Sequence, residues 1–391
     1  FFMSLPLPPG AGHPCPRIIF CHLIYRFGSG FSRTARHTQL SAQSALATLP
    51  PPRKTPPMNS RFALPALTAD QAHRLIPRID AIPLYAHAYA WHLNFRFGAA
   101  IPLELLDFAH SHHLRGVKIH VEDGEARSLL HAPESRAGFA ARARDLGLEV
   151  HIETSSTTLP DLRAAVEIAQ DTGATSVRCY PRHAGPVSHV IAQTIADLKQ
   201  LAQLDPGHRL HFLLEQHEDL KSHELVQILR AVANPRLTLL FDFANMINAF
   251  ETPQAALAVM APYVTDVHIK DAHILPDRGG MAHRACCSGQ GDINFPDLLT
   301  QLLLLGDAAP QIRAFALEEE NEMFAPAYRF PDDPPDPVIP ARAASTTDPT
   351  ADEPLPQRLA RERAEAVAQI AYVRATLAAL RAHAQARLDL K

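Results

Sequence analysis

Acidic residues are missing from the start of this sequence: no Asp or Glu precedes Asp70, and residues 1–57 are dominated by Arg, Ser, Pro and Ala. Cysteine is scarce, five in 391 residues, which excludes a disulfide scaffold and points to a reducing compartment. No run of 18 apolar residues occurs, which argues against a membrane-spanning helix. The net charge of −4 lacks the basic excess of a protein that binds nucleic-acid phosphates. Also missing is the Gly-rich strand-to-helix turn that usually opens a doubly wound nucleotide-binding sheet. What is present, 47% apolar and 20% charged residues, suits a globular core. The length allows one large domain or two ordinary ones.

Proline is abundant and unevenly placed: of 34, ten lie in residues 1–57 and nine in 326–356. Both segments therefore read as lying outside the core. Residues 1–57 fit either an Arg- and Ser-rich, acid-poor transit peptide or upstream sequence translated in error. The Phe-Phe start and the ordinary-looking stretch from Met58 favour the second. A cytoplasmic location is expected, or a mitochondrial one if the segment is a genuine transit peptide. The domain is then 58–391. Within it, 326–356 is rich in Pro and Asp and poor in large apolar groups, which predicts a flexible insert. Beyond it, Leu359, Val367, Ile370, Val373, Leu377 and Leu380 recur at three- and four-residue steps and predict a closing helix over 357–388.

Between these segments eight short β-branched or apolar runs alternate with helical patterns. They are 84–89, 116–121, 148–154, 176–180, 210–215, 237–241, 264–269 and 314–317. Strand–helix alternation repeated eight times over about 240 residues predicts a (β/α)8 barrel. Chemistry in such barrels sits at the strand C-termini. The last four runs end there in Glu215, Asp242, His268 and Glu318. Three carboxylates and an imidazole converging on one cavity would repel unless a cation lay between them. Oxygen ligands with one imidazole suit Mn²⁺, Mg²⁺, Co²⁺ or Zn²⁺.

The motifs LLEQHED, FDFANM, DVHIKDAH, SGQGDINF and LEEEN, within a stretch of about 84–322, resemble those of the xylose-isomerase-like TIM barrels. That superfamily includes sugar and sugar-phosphate isomerases and epimerases. The resemblance implies that Glu215, Asp242, His268 and Glu318 hold one divalent metal. It also implies that Glu215 and Glu318 move a proton beside a carbonyl through a metal-stabilised enediolate. The substrate would be a sugar or sugar phosphate, with no nucleic acid or membrane as partner and a homo-oligomer left open. One departure is Asn245, where many epimerases carry His three residues after the strand-six Asp. Among the three consecutive acids 318–320, alternation turns Glu318 and Glu320 to one side and Glu319 to the other, with Glu318 preferred as ligand.

Further candidates for substrate contact are Lys270, Asn245, His217, Arg178 and Trp91. Each has a plainer reading: an ion pair for Lys270 or Arg178 (the latter with Glu153), a solvated loop for His217, and core packing for Trp91. The two glycines of CSGQGDINF precede a helix, and amides there could hold an anion. Rival functions are a lyase of the 3-dehydroshikimate dehydratase type and a non-catalytic sugar-binding barrel. A three-zinc nuclease resembling endonuclease IV is disfavoured by Asn245 and the acidic balance.

Overall fold

A computed structural model describes residues 62–320, 323–342 and 353–390; the segment 1–57 falls outside the described residues. The described residues all lie in one compact unit, Pro52–Lys391. Eight parallel strands close a barrel: β1 (Leu84–His87), β2 (Gly116–His120), β3 (Glu149–Glu153), β4 (Ser176–Cys179), β5 (His211–Glu215), β6 (Leu237–Asp242), β7 (Val264–Ile269) and β8 (Ala314–Leu317). Each strand pairs with its sequence neighbours, and β8 closes on β1 through Tyr85 opposite Ala316. The eight-strand barrel expected from the alternation is therefore observed.

The helices start and stop where local chemistry directs. Thr68 and Gln71 form a reciprocal capping box on helix Ala69–Asp80. Helix Leu159–Thr172 has Pro160 in its first turn and Gly173 as a left-handed cap at φ 72°. The C-terminal helix spans Leu355–Asp389 and packs against helix Ala69–Asp80. Its buried stripe runs through Ala366, Ile370, Val373, Leu377, Leu380 and Ala384, whereas Val367 is 41% exposed. Glu362 on this helix accepts the amides of Leu93 and Asn94 at 2.7 and 2.9 Å, and so ties the helix to the loop after β1.

Strand alternation fills the barrel interior with unusually polar groups. Tyr85, Lys118, Glu149, His151 and Asp266 form one linked group, and His87, Glu153 and His268 a second nearer the strand C-termini. Such interiors are more often Val, Ile and Leu. Gly116 makes room for this arrangement: a Cβ there would meet the Glu149 carbonyl oxygen at 2.2 Å and the Tyr85 ring at 2.7 Å.

Residues 323–342, within or beside the Pro/Asp-rich segment, run over the loops that follow the barrel strands. Phe324–Ala325 adds to the hairpin Asp271–Asp277/Gly280–Cys286 that follows β7, and Val338–Ile339 pairs with Gly185–Pro186 after β4. Arg329 bonds Glu224 at 2.9 Å and Asp333 at 2.9 Å, and Arg342 bonds Asp219 at 2.8 Å. Ion pairs tie the described part of the expected flexible insert to the barrel, in place of the large apolar groups it lacks. Residues 343–352 lie outside the described residues.

Candidate metal centre at the strand C-termini

Strand alternation carries one side chain per strand to the open end of the barrel, and these side chains meet. His268, fully buried, turns Nδ1 towards Glu318 Oε2 at 3.3 Å and Glu215 Oε1 at 3.5 Å. Its Nε2 faces Glu153 Oε1 at 3.2 Å. Asp242 Oδ1 accepts the amides of Ala244 and Asn245 at 2.7 and 2.8 Å, which fixes the carboxylate plane. Its Oδ2 lies 3.2 Å from Lys270 Nζ, and that ammonium also approaches Glu320 at 3.4 Å and Glu318 at 3.6 Å. Glu215 is gripped on both oxygens: Arg178 Nε lies 3.0 Å from Oε2, and Asn245 Nδ2 lies 3.4 Å from Oε1.

Two residues not singled out as ligands organise the rest. His87 accepts the Tyr89 amide on Nδ1 at 3.0 Å, so its ring proton sits on Nε2 and is donated to Glu153 Oε2 at 2.9 Å. Glu153 thus gathers His87, His268 and Arg178. Burial opposes its charge, but those three partners outweigh burial and hold its carboxyl well below the usual range. With Glu153 on the Nε2 side, Nδ1 is the ring nitrogen that faces the other carboxylates. This is the carboxylate–histidine arrangement that orients imidazole ligands in metal sites. Strand-end position was the available signal for both residues.

The cluster holds five buried carboxylates, Glu153, Glu215, Asp242, Glu318 and Glu320, against two permanent cations, Arg178 and Lys270. Several inward-facing atoms lack hydrogen-bond partners in the structure: His268 Nδ1, Glu215 Oε2, Asp242 Oδ2, Glu318 Oε2 and Glu320 Oε2. Leaving such groups unmatched is costly. Ligand atoms of Glu215, Asp242 and His268 lie within 4.8 Å of one another, as do those of His87, His268 and Glu318. The donor set, carboxylate oxygens plus one imidazole nitrogen, fits a divalent cation. The charge deficit has visible effects. Burial pushes the Asp242 carboxyl up to about 7 despite the pull of Lys270. Burial likewise disfavours charge on His268, but Glu318, Glu153 and Glu215 hold its imidazolium well above the ordinary range.

The structure brings Glu215, Asp242, His268, Glu318, Lys270, Asn245 and Arg178 to one place. His217 lies at the rim, its ring stacked 3.9 Å from Tyr180 and its Nδ1 3.2 Å from Arg342 Nη1. Glu319 turns away to Ser288, as alternation requires. Trp91 does not join the cluster. Only 5% exposed, it packs on Phe108 at 4.9 Å between ring centroids and lies under the Arg363 guanidinium. The core takes this aromatic because the chain turns into a short helix directly after β1.

The glycine loop offers no anion site. Asp271 accepts the amides of Gly289 at 2.8 Å and Gly291 at 2.9 Å, so the protein's own carboxylate fills the turn. A Cβ on Gly291 would meet Asp271 Oδ1 at 2.1 Å, which explains the glycine.

The family model for the xylose isomerase-like TIM barrel matches residues 106–309. The chain is 46% identical over 324 residues to the uncharacterized protein YihM of Escherichia coli (strain K12), covering 83% of this chain and 99% of that protein. It is 23% identical over 171 residues to the 3-oxo-isoapionate decarboxylase of Pectobacterium atrosepticum, covering 43% of this chain and 61% of that protein. Among solved structures, a xylose isomerase domain protein from Alicyclobacillus acidocaldarius superposes with a TM-score of 0.46 at 18% identity, covering 73% of this chain and 99% of that one. No helix among the described residues is long and apolar enough to cross a membrane.

Proposed function

Because the chain belongs to the xylose isomerase-like TIM barrel family, we propose that it is a divalent-metal-dependent isomerase or epimerase of a sugar or sugar phosphate. The observation that supports this reading is the set of unmatched inward-facing atoms on His268, Asp242, Glu215 and Glu318. These four residues would hold the ion. Bound there, it would supply polarisation of a carbonyl and its neighbouring hydroxyl, lowering the cost of an enediolate.

The chain's own groups do the rest. Glu153 holds the Nε2 side of His268, so that Nδ1 is the nitrogen turned to the ion site. Arg178 and Asn245 hold Glu215 in one orientation, suited to removing a proton from the carbon beside a carbonyl. Glu318 then returns a proton to the adjacent carbon or to the opposite face of the same carbon, so the substrate's mass is unchanged. Lys270, between Asp242 and Glu318, is set to donate a hydrogen bond to a substrate oxygen. Burial of the cluster keeps bulk water from competing for these protons.

The test is solvent-deuterium incorporation into candidate ketoses by metal-loaded protein, with Glu215→Gln and Glu318→Gln beside it. Incorporation by wild type and its loss in both variants supports the assignment; equal incorporation in both variants overturns it. The similarity to a decarboxylase favours a second reading, a lyase on the same site. Release of CO₂ or water from a keto-acid, with no exchange into a recovered substrate, would identify it.

A further inference from the structure

On the face where the strands begin, opposite the carboxylate cluster, a cavity of about 930 Å³ opens between the starts of β1, β2, β3 and β8 and the C-terminal helix. Its lining is strongly basic. Arg115, Arg313, Arg374 and Arg381 contribute four guanidinium groups, and His110 and His113 stand among them. The lining carboxylates are two, Glu149 and Asp80. With neutral imidazoles the cavity is left with an excess of two positive charges, on a chain whose net charge is −4.

The guanidiniums differ in what they already hold. Arg115 Nε bonds Glu149 at 2.8 Å, and Tyr85 takes the other Glu149 oxygen at 2.5 Å, so this corner is closed. Arg381 holds Asp80 through two bonds of 2.7 and 3.0 Å, and both partners are about half exposed. Exposed pairs of this kind contribute little to stability, so Arg381 can exchange partners at little cost. Arg374 donates to the His112 carbonyl and to no carboxylate among the described residues. The Arg313 side chain has no hydrogen-bond or ion-pair partner among the described residues. The apolar part of the wall comes from Ile79, Leu84, Leu114 and Leu377.

Two guanidiniums without carboxylate partners, a third that can be freed, and an apolar wall suit a particular ligand chemistry. Planar guanidinium forks match phosphoryl oxygens, and the apolar wall suits the body of a small molecule. The chain's own first 57 residues, which contain no carboxylate, are not a complementary occupant. We propose that this cavity is a binding site for a small phosphoryl-bearing metabolite, separate from the carboxylate cluster and independent of the function assigned to it.

The experiment is calorimetric titration of inorganic pyrophosphate into the full chain, freed of metal by chelation and dialysis, at about 0.15 M salt, where long-range attraction is largely screened. Sodium chloride of matched ionic strength is the control. The expected result is saturable binding that weakens at least about tenfold, roughly 1.4 kcal/mol, in Arg313→Ser/Arg374→Ser. Binding should persist in His268→Ala and tighten in Asp80→Asn. Arg313→Ser alone removes no hydrogen bond or ion pair with the described residues, so a weakening there counts even if the double variant folds poorly. No saturable binding by wild type, unchanged binding in the Arg variants, or loss of binding in His268→Ala overturns the proposal.

Discussion

At the N-terminal end of the barrel interior the buried charges are paired one to one, although His151 Nδ1 and Ser176 Oγ make no hydrogen bond there. Lys118 meets Asp266 at 2.7 Å, both fully buried, with His151 at 3.6 Å from the same oxygen. Tyr85 and Arg115 take both oxygens of Glu149, and His211, Thr238 and Thr265 bond one another. At the C-terminal end, five carboxylates face two permanent cations, and several polar atoms make no hydrogen bond although a cation lies 3.0 to 3.6 Å from each of four carboxylate oxygens. The same strands supply both ends: β3 carries Glu149 and Glu153, and β7 carries Asp266 and His268. Burial alone therefore does not mark a functional site here. What distinguishes the C-terminal end is the excess of buried carboxylates over cations.

The largest expected effect breaks the open end. Glu215→Gln should lower turnover by about 10²–10⁴-fold while the melting temperature holds or rises, since it relieves the carboxylate excess and leaves Arg178 its bond to Glu153. A melting loss as large as that of a core deletion would mean that the upper carboxylates are structural after all. Lys118→Met should do the opposite. It strands Asp266 in the closed layer and should cost about 3–5 kcal/mol, and Lys118→Met/Asp266→Leu should recover most of that. Denaturant unfolding of the two variants decides it.

The closed pair also sets a pH dependence. Burial acts against the Asp266 charge, but Lys118 and His151 more than compensate and hold its carboxyl well below the usual range. Its folded value is thus lower than its unfolded value. The stability it adds is present above about pH 4 and disappears as the pH falls below that. Lys118→Met should flatten this acid limb. Metal addition should sharpen the contrast from the other side. Chelated protein should regain about 2.7 kcal/mol with free ion a hundredfold above its dissociation constant. That gain should vanish in His268→Ala, as read by thermal melts with and without Mn²⁺ or Zn²⁺.

How much of this was legible in the sequence follows from which interactions are local. The strands and helices show through periods of 2 and 3.6, and the eight-fold alternation fixes the barrel. Glu215, Asp242, His268 and Glu318 were findable because strand-end position and alternation are enough to bring them to one mouth. Strand-end position also marks Glu153 and His87, but their role does not show there, because it lies in contacts with each other and with His268 from strands distant in the sequence. Residues 326–342 look like a linker by composition. They are held instead by Arg329 with Glu224 and Arg342 with Asp219, pairs more than a hundred residues apart. The amides around Gly289 and Gly291 look available until Asp271 is seen to fill them.

Trp91 gives the smallest expected effect and the finest test of the comparison. It follows β1 directly, on the side of the open cluster, yet its ring belongs to closed packing. Phe108 and Phe95 lie 4.9 and 6.3 Å away between ring centroids, and the Arg363 guanidinium lies 4.6 Å from its ring. Trp91→Phe keeps an aromatic in that slot but loses ring area and part of the cation–π contact, for about 1 kcal/mol of stability. KM for any substrate turned over should stay unchanged, because no part of the ring reaches the carboxylates. A raised KM with an unchanged melting temperature would move Trp91 into the site. The boundary between the matched and unmatched parts of the barrel would then lie lower on β1 than His87.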